Sequence, residues 1–181
     1  IAQVKSRLQV NLSSSGHTVA AMRALSYESE YAYYNDATIG ITYYQAILDM
    51  EELLKKELTP ERQLRMTNKS HNEIYIVDVH NAPNVLQEIG RLREIVFREA
   101  GGGTGKPVDL DEFDTCENCY KQLIVWNPEE EEIIGGYRYL LGSDVEFDSN
   151  GQPILATSHM FHFSEKFIKD YLPWTIELGR S

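Results

Sequence analysis

The sequence has little from which to build a disulfide framework, a zinc site or a membrane span. It holds two cysteines, Cys116 and Cys119, so a disulfide scaffold is excluded and a four-ligand zinc site lacks its second pair. Cys116-Glu117-Asn118-Cys119 falls in an acidic loop, whereas a thioredoxin-type motif opens a helix after a strand, so both residues read as reduced thiols. The five histidines show no metal spacing, and no metal is expected. No apolar run approaches the roughly 20 residues that cross a bilayer, and no secretory leader is visible. Ile1 is not an initiator Met and reads as an internal start. Basic residues are scarce as well: 17 Lys and Arg stand against 28 Asp and Glu, a net charge of −11. Phosphate backbones repel such a chain, so nucleic acid is excluded as a partner. These features fit a cytoplasmic protein.

What is present describes a globular chain. With 42% apolar and 25% charged residues, 181 residues can bury one core and carry an extension. Residues 1–58 read as a helical extension, because Val19, Met22, Leu25, Tyr31, Tyr34, Ile41, Tyr44, Ile47 and Leu54 recur at helical spacing. The tyrosines at 27, 31, 33, 34, 43 and 44 read as a helix face packed on a neighbour.

Residues 59–181 read as an α/β unit. Thr59-Pro60-Glu61 predicts a helix start, with a short helix to about Met66. Ile74 to Val79 is a branched, strand-like run. Asn81 and Pro83 open a second helix with Val85, Leu86, Ile89, Leu92 and Val96 as its buried stripe, closed by Gly101-Gly102-Gly103. An acidic loop over 109–118 leads to a predicted hairpin of strands at 121–127 and 133–141. An excursion at 143–153, an extended piece through His159-Met160-Phe161-His162-Phe163, a Ser164-capped helix to about Tyr171 and a strand through Trp174 to Leu178 complete the order. This order predicts mainly antiparallel pairing.

Gly101-Gly102-Gly103-Thr104-Gly105-Lys106 is not a phosphate loop. The motif's first glycine falls at Ala100, Pro107 follows the lysine, and a helix precedes it instead of a strand. The charged residues say more. Arg93 and Phe97 stand one helical turn apart and share a face. Asp111 and Asp114 lack the ligand ladder of a calcium loop. Arg138 lies between Tyr137 and Tyr139, and Arg180 ends a strand; a guanidinium in a sheet needs a carboxylate, and Asp111, Asp114 and Glu177 are at hand. Two readings stay open on the residues alone: an ion-paired scaffold without chemistry, or a built site. No Ser-His-Asp or Gly-x-Ser-x-Gly arrangement is present.

Taken in order, Leu92-Arg93, Val96-Phe97, Asp111-Glu112-Phe113-Asp114, Gly136-Tyr137-Arg138, Phe163 and Glu177-Leu178-Gly179-Arg180-Ser181 resemble the acyl-carrier-protein-dependent N-acyltransferases of the GNAT superfamily. The resemblance is to the ornithine-lipid and glycine-lipid branch, which also carries the label hemolysin, although nothing in these residues makes a pore. Ile89-Gly90-Arg91-Leu92-Arg93-Glu94 and the glycine loop at 101–106 resemble its Bacteroidetes members. More distantly, the same charged set is similar to acyl-homoserine-lactone synthases. The resemblance covers residues 59–181. It implies a GNAT-like mixed, mainly antiparallel sheet flanked by helices, truncated in its C-terminal half.

The activity it implies is transfer of a fatty acyl group, often 3-hydroxylated, to the α-amine of glycine or ornithine in lipid biosynthesis. It implies an acyl-phosphopantetheine thioester as donor, with no permanently bound cofactor. The implied partners are acyl carrier protein, a small amino acid and a membrane surface at the inner face of the cell. Glu177 would take the amine's proton, with Arg180 beside it. Arg93, Phe97, Arg138 and Phe163 would bind substrate, and Asp111, Asp114 and Arg180 would form an ion-pair network. A basic patch of Arg91, Arg93, Arg98 and Lys106, or residues beyond Ser181, would receive the carrier protein. A signal synthase using S-adenosylmethionine and a non-catalytic GNAT-like binding module are the alternatives.

Overall fold

A computed structural model describes residues 50–180. The expected extension and its tyrosine face lie outside the described residues except for a helical stretch at 50–57 (α1). Five strands follow: Gln63–Met66 (β1), Glu73–Val77 (β2), Lys121–Asn127 (β3), Glu132–Leu141 (β4) and Ile176–Gly179 (β5). They form one sheet in the order β1-β2-β3-β4-β5, with every neighbouring pair antiparallel. The helices are Pro83–Glu99 (α2), the single turn Glu112–Thr115 (α3) and Glu165–Asp170 (α4).

The strands alternate, and the alternation sets the core. In β3, Gln122, Ile124 and Trp126 are buried while Lys121, Leu123, Val125 and Asn127 are not. Tyr75, Val77, Ile124 and Trp126 pack on Val85 and Ile89 of α2 and on Leu54 and Leu58. Each such side chain contributes about 1.5–3 kcal/mol when fully buried. A second apolar cluster joins Phe113, Tyr120, Leu140, Val145, Leu155 and Leu172. The opposite face of the sheet is open, with Tyr137, Leu141, Ile176 and Leu178 exposed.

Several local expectations are corrected. Thr59 makes no side-chain cap bond; Pro60–Arg62 is one 3-10 turn, and the chain then pairs with β2 as β1 instead of continuing as a helix. Asn81 does not cap α2, because its Oδ1 accepts from the Asp78 backbone N–H. The orphan amides at the start of α2 are met by Glu57 of α1, which accepts from Asn84 N at 3.2 Å and Val85 N at 2.9 Å. Of the predicted stripe, Val96 is exposed, because it lines an open trench between α2 and β4. The acidic loop contains α3, with Asp111 and Asp114 forming a reciprocal capping box. His159–Phe163 is not extended: Ala156–His159 is a 3-10 turn followed by irregular chain. Ser164 does cap α4, accepting from Phe167 N.

Gly142, just past β4, is required by close approach. A Cβ there would overlap the Leu172 carbonyl and stand 2.8 Å from Thr175 Oγ1, in a segment already closed by a Gly142 N–H to Thr175 O bond of 2.8 Å. Gly142→Ala is expected to lower the unfolding free energy by about 1–3 kcal/mol or more, read as a shift in urea midpoint.

Candidate active site

Between the two apolar clusters runs a seam of charge. Gln122, Arg138 and Gly179 lie opposite one another on β3, β4 and β5. Arg93 reaches this row from α2, and α3 supplies Asp111 and Asp114. Asp114 is wholly buried and accepts from Arg93 Nη1 at 3.0 Å, Gln122 Nε2 at 2.9 Å and Arg138 Nη1 at 3.3 Å. Arg93 Nη2 donates to Gln122 Oε1 at 2.6 Å. Arg138 Nη1 donates to both oxygens of Asp111 at 2.7 Å. Arg180, in left-handed backbone at φ 56°, donates to Asp109 at 2.7 Å and Asp111 at 3.1 Å. The rings of Phe113 and Tyr120 lie over the Arg138 guanidinium. Burial works to raise the Asp111 carboxyl, but Arg138 and Arg180 outweigh it and hold the group below the usual aspartate value.

The structure thus brings Arg93, Asp111, Asp114, Arg138 and Arg180 into one network. Arg93 and Arg138, expected to hold substrate, are both buried, each with its Nη1 on a carboxylate and Arg93 Nη2 on the Gln122 amide oxygen. Of the expected basic patch, Arg93 is internal, Arg91 forks onto Glu88, Arg98 binds Glu94 while staying partly exposed, and Lys106 is exposed.

Glu177 stands one row further along the sheet, opposite Leu140 and on the same face as Arg138. Its carboxylate accepts from the Tyr120 hydroxyl and from Thr157 N at 3.0 Å. Burial, then the bond to Glu177, pushes the Tyr120 phenol well above its ordinary value, so it remains a donor. Two hollows flank the seam. A trench of about 300 Å³ between α2 and β4 holds Phe97, Leu92 and Gly136 along its walls and Arg93, Gln122 and Arg180 as its polar groups. A second hollow, about 260 Å³, joins Glu177 and Thr157 with Phe163, Phe167, Leu155 and Leu172. Phe97 and Phe163 therefore line different hollows; Arg138, Asp111 and Asp114 line neither.

Sequence reasoning missed Asp109, Gln122 and Tyr120. Gln122 was legible as a residue on the buried phase of β3, the same phase as Ile124 and Trp126, and Tyr120, just before the strand, continues that phase. Asp109 carried no signal beyond its place in the acidic stretch.

The loop at 101–106 answers to an internal anion. Buried Glu94 accepts from Thr104 N, Thr104 Oγ1 and Gly105 N at 2.7–2.8 Å. The Thr104 hydroxyl, with the loop amides and Arg98, lowers its carboxyl to about 2. A depressed carboxylate stabilises the fold fully above its ordinary value of 4.5 and loses that contribution as pH falls toward 2. The loop amides are therefore expected to stay protected from exchange at pH 5 and to open on acidification, and Glu94→Gln should open them already at neutral pH.

A five-stranded antiparallel sheet with helices packed on it and a buried charge seam is a GNAT-like α/β fold. Residues 92–181 match the family model described as an acetyltransferase (GNAT) domain. A protein of Bacteroides thetaiotaomicron named Glycine N(alpha)-acyltransferase is 74% identical over 131 residues, covering 72% of this chain and 39% of its own length. One of Phocaeicola vulgatus with the same name is 66% identical over 131 residues, covering 72% of this chain and 40% of its own. The chain thus spans about two fifths of the length of these curated relatives. Residues 1–50 match a model described as peptidase-associated, in a stretch almost wholly outside the described residues. No solved structure shows significant similarity. Among the described residues no helix is long and apolar enough to cross a membrane.

Proposed function

We propose that this protein is an N-acyltransferase that moves a fatty acyl group, 3-hydroxylated in the favoured case, from a phosphopantetheine thioester to the α-amine of glycine. The observation that carries the chemistry is the Glu177 carboxylate, fixed by Tyr120 and Thr157 at the wall of an apolar hollow. The amine passes its proton to Glu177, directly or through a bridging water, and attacks the thioester carbonyl. The N–C bond forms, the C–S bond breaks, and the departing thiolate takes the proton from Glu177, which restores the carboxylate. Tyr120 acts as a positioning residue, since its phenol keeps its proton and aims Glu177. The names of the two relatives support glycine as acceptor. Acyl carrier protein as the donor's carrier, and a membrane as the destination of a lipid product, belong to the same reading.

The test is direct. The full-length protein is given acyl carrier protein loaded with a 3-hydroxyacyl chain, together with glycine or ornithine, and the products are read by mass. N-acylglycine formation with little N-acylornithine supports the reading. No acylated amine with either acceptor, from carrier protein or from acyl-CoA, overturns it.

A further inference from the structure

The charge seam is closed. Arg93, Arg138 and Arg180 face Asp109, Asp111 and Asp114, three cations against three carboxylates, and every one of the six is paired. A lone carboxylate entering it would be a surplus anion beside buried acids, which the low local dielectric penalises. A ligand carrying both charges adds none.

Only two of the six reach solvent appreciably. The Arg180 side chain is 29% exposed and Asp111 22%, while the other four are at 7% or less. These two meet in the longer of Arg180's two bonds, 3.1 Å against 2.7 Å to Asp109. If that contact opens, neither is stranded: Arg180 keeps Asp109, and Asp111 keeps both bonds from Arg138. The Arg138–Asp114 contact of 3.3 Å also has other partners on both sides, but both groups are buried. The Arg93–Asp114 pair cannot separate without leaving Arg93 short of a carboxylate. Arg180 also lines the trench, and Asp111, which lines neither hollow, reaches solvent through its partly exposed side chain.

We infer that the Arg180–Asp111 pair is the entry point at which the acceptor first docks as a zwitterionic α-amino acid, its carboxylate on Arg180 and its ammonium on Asp111, before its amine passes to Glu177 in the other hollow. The bound state alternates plus and minus around four groups and leaves the seam neutral. This role falls to Arg180 because Arg93 and Arg138 are engaged internally. Asp111, held in its ionised form by Arg138, anchors the ammonium and is a poor proton acceptor. The inference rests on the proposed N-acyltransferase reading for the choice of amino acid, and its test does not require turnover.

Nitrogen-15 spectra of the protein are titrated with glycine, with acetate, with methylamine and with glycinamide, following the Arg180 Nε–H and the Asp111 amide. Glycine is expected to move both signals together and to bind at least tenfold more tightly than any of the three singly charged probes. Arg180→Lys, which keeps the charge and loses the planar fork, should weaken glycine at least fivefold with other amide positions unchanged, marking an intact fold. Acetate binding as tightly as glycine would make this a carboxylate site and overturn the inference. So would equal binding of glycinamide, or glycine leaving both signals still. Unmoved signals with positive acylation would discard the docking point and keep the enzyme; moved signals without acylation would do the reverse.

Discussion

Glu177→Gln in the full-length protein lowers kcat for glycine acylation by about 10²–10⁴, the range that a positioned acid–base group supplies. The amide keeps the size, and its one oxygen still accepts from Thr157 N while its NH2 takes the place of the oxygen that met Tyr120, whose hydroxyl must turn to accept, so the fold and the KM for glycine are expected to hold. Tyr120→Phe should fall between the variant and the wild type, because it removes the aim and leaves the base. Burst and steady-state product formation over pH 6–9 separates the two. If Glu177→Gln turns over at the wild-type rate, the proton goes elsewhere and the hollow at Phe163 loses its catalytic assignment.

The second large effect is on stability. Asp114 is 0% exposed and accepts from two guanidiniums and the Gln122 amide. Asp114→Ala leaves Arg93 without its carboxylate in the interior, and breaking such a pair from one side costs about 3–5 kcal/mol. That loss would be read from urea unfolding followed by circular dichroism. Removing Arg93 and Asp114 together with apolar residues of similar volume should recover part of it, since the penalty lies in the unpaired charge. A shift of under about 1 kcal/mol for Asp114→Ala alone would mean that water reaches the seam.

Much of the framework could be read from the chain because it rests on local rules. The β3–β4 hairpin, the long helix with Pro83 at its start and the Ser164 cap all follow from turn chemistry, alternation and capping. What failed did so where a distant partner overrode local preference. Thr59-Pro60-Glu61 has every mark of a helix start, yet β2 offered backbone bonds that turned the next residues into a strand. Asn81 is a good cap by type, but Glu57 occupies that role from another helix. The charged set was legible as a group, since arginines in strands demand acids. Its internal division was not: the pairing of Arg180 with Asp109, and the placing of Glu177 with Tyr120 one row away, depend on which strand rows face each other.

The seam also guards against slippage between strands. Moving β4 by a single residue against β3 would swing Arg138 to the open side and leave Asp111 and Asp114 among aromatic rings without counter-charge. Apolar neighbours such as Leu140 and Ile124 tolerate sliding far better than a fixed fork of hydrogen bonds does. The charges thus act as a locating pin for the native pairing, whatever they do for a ligand.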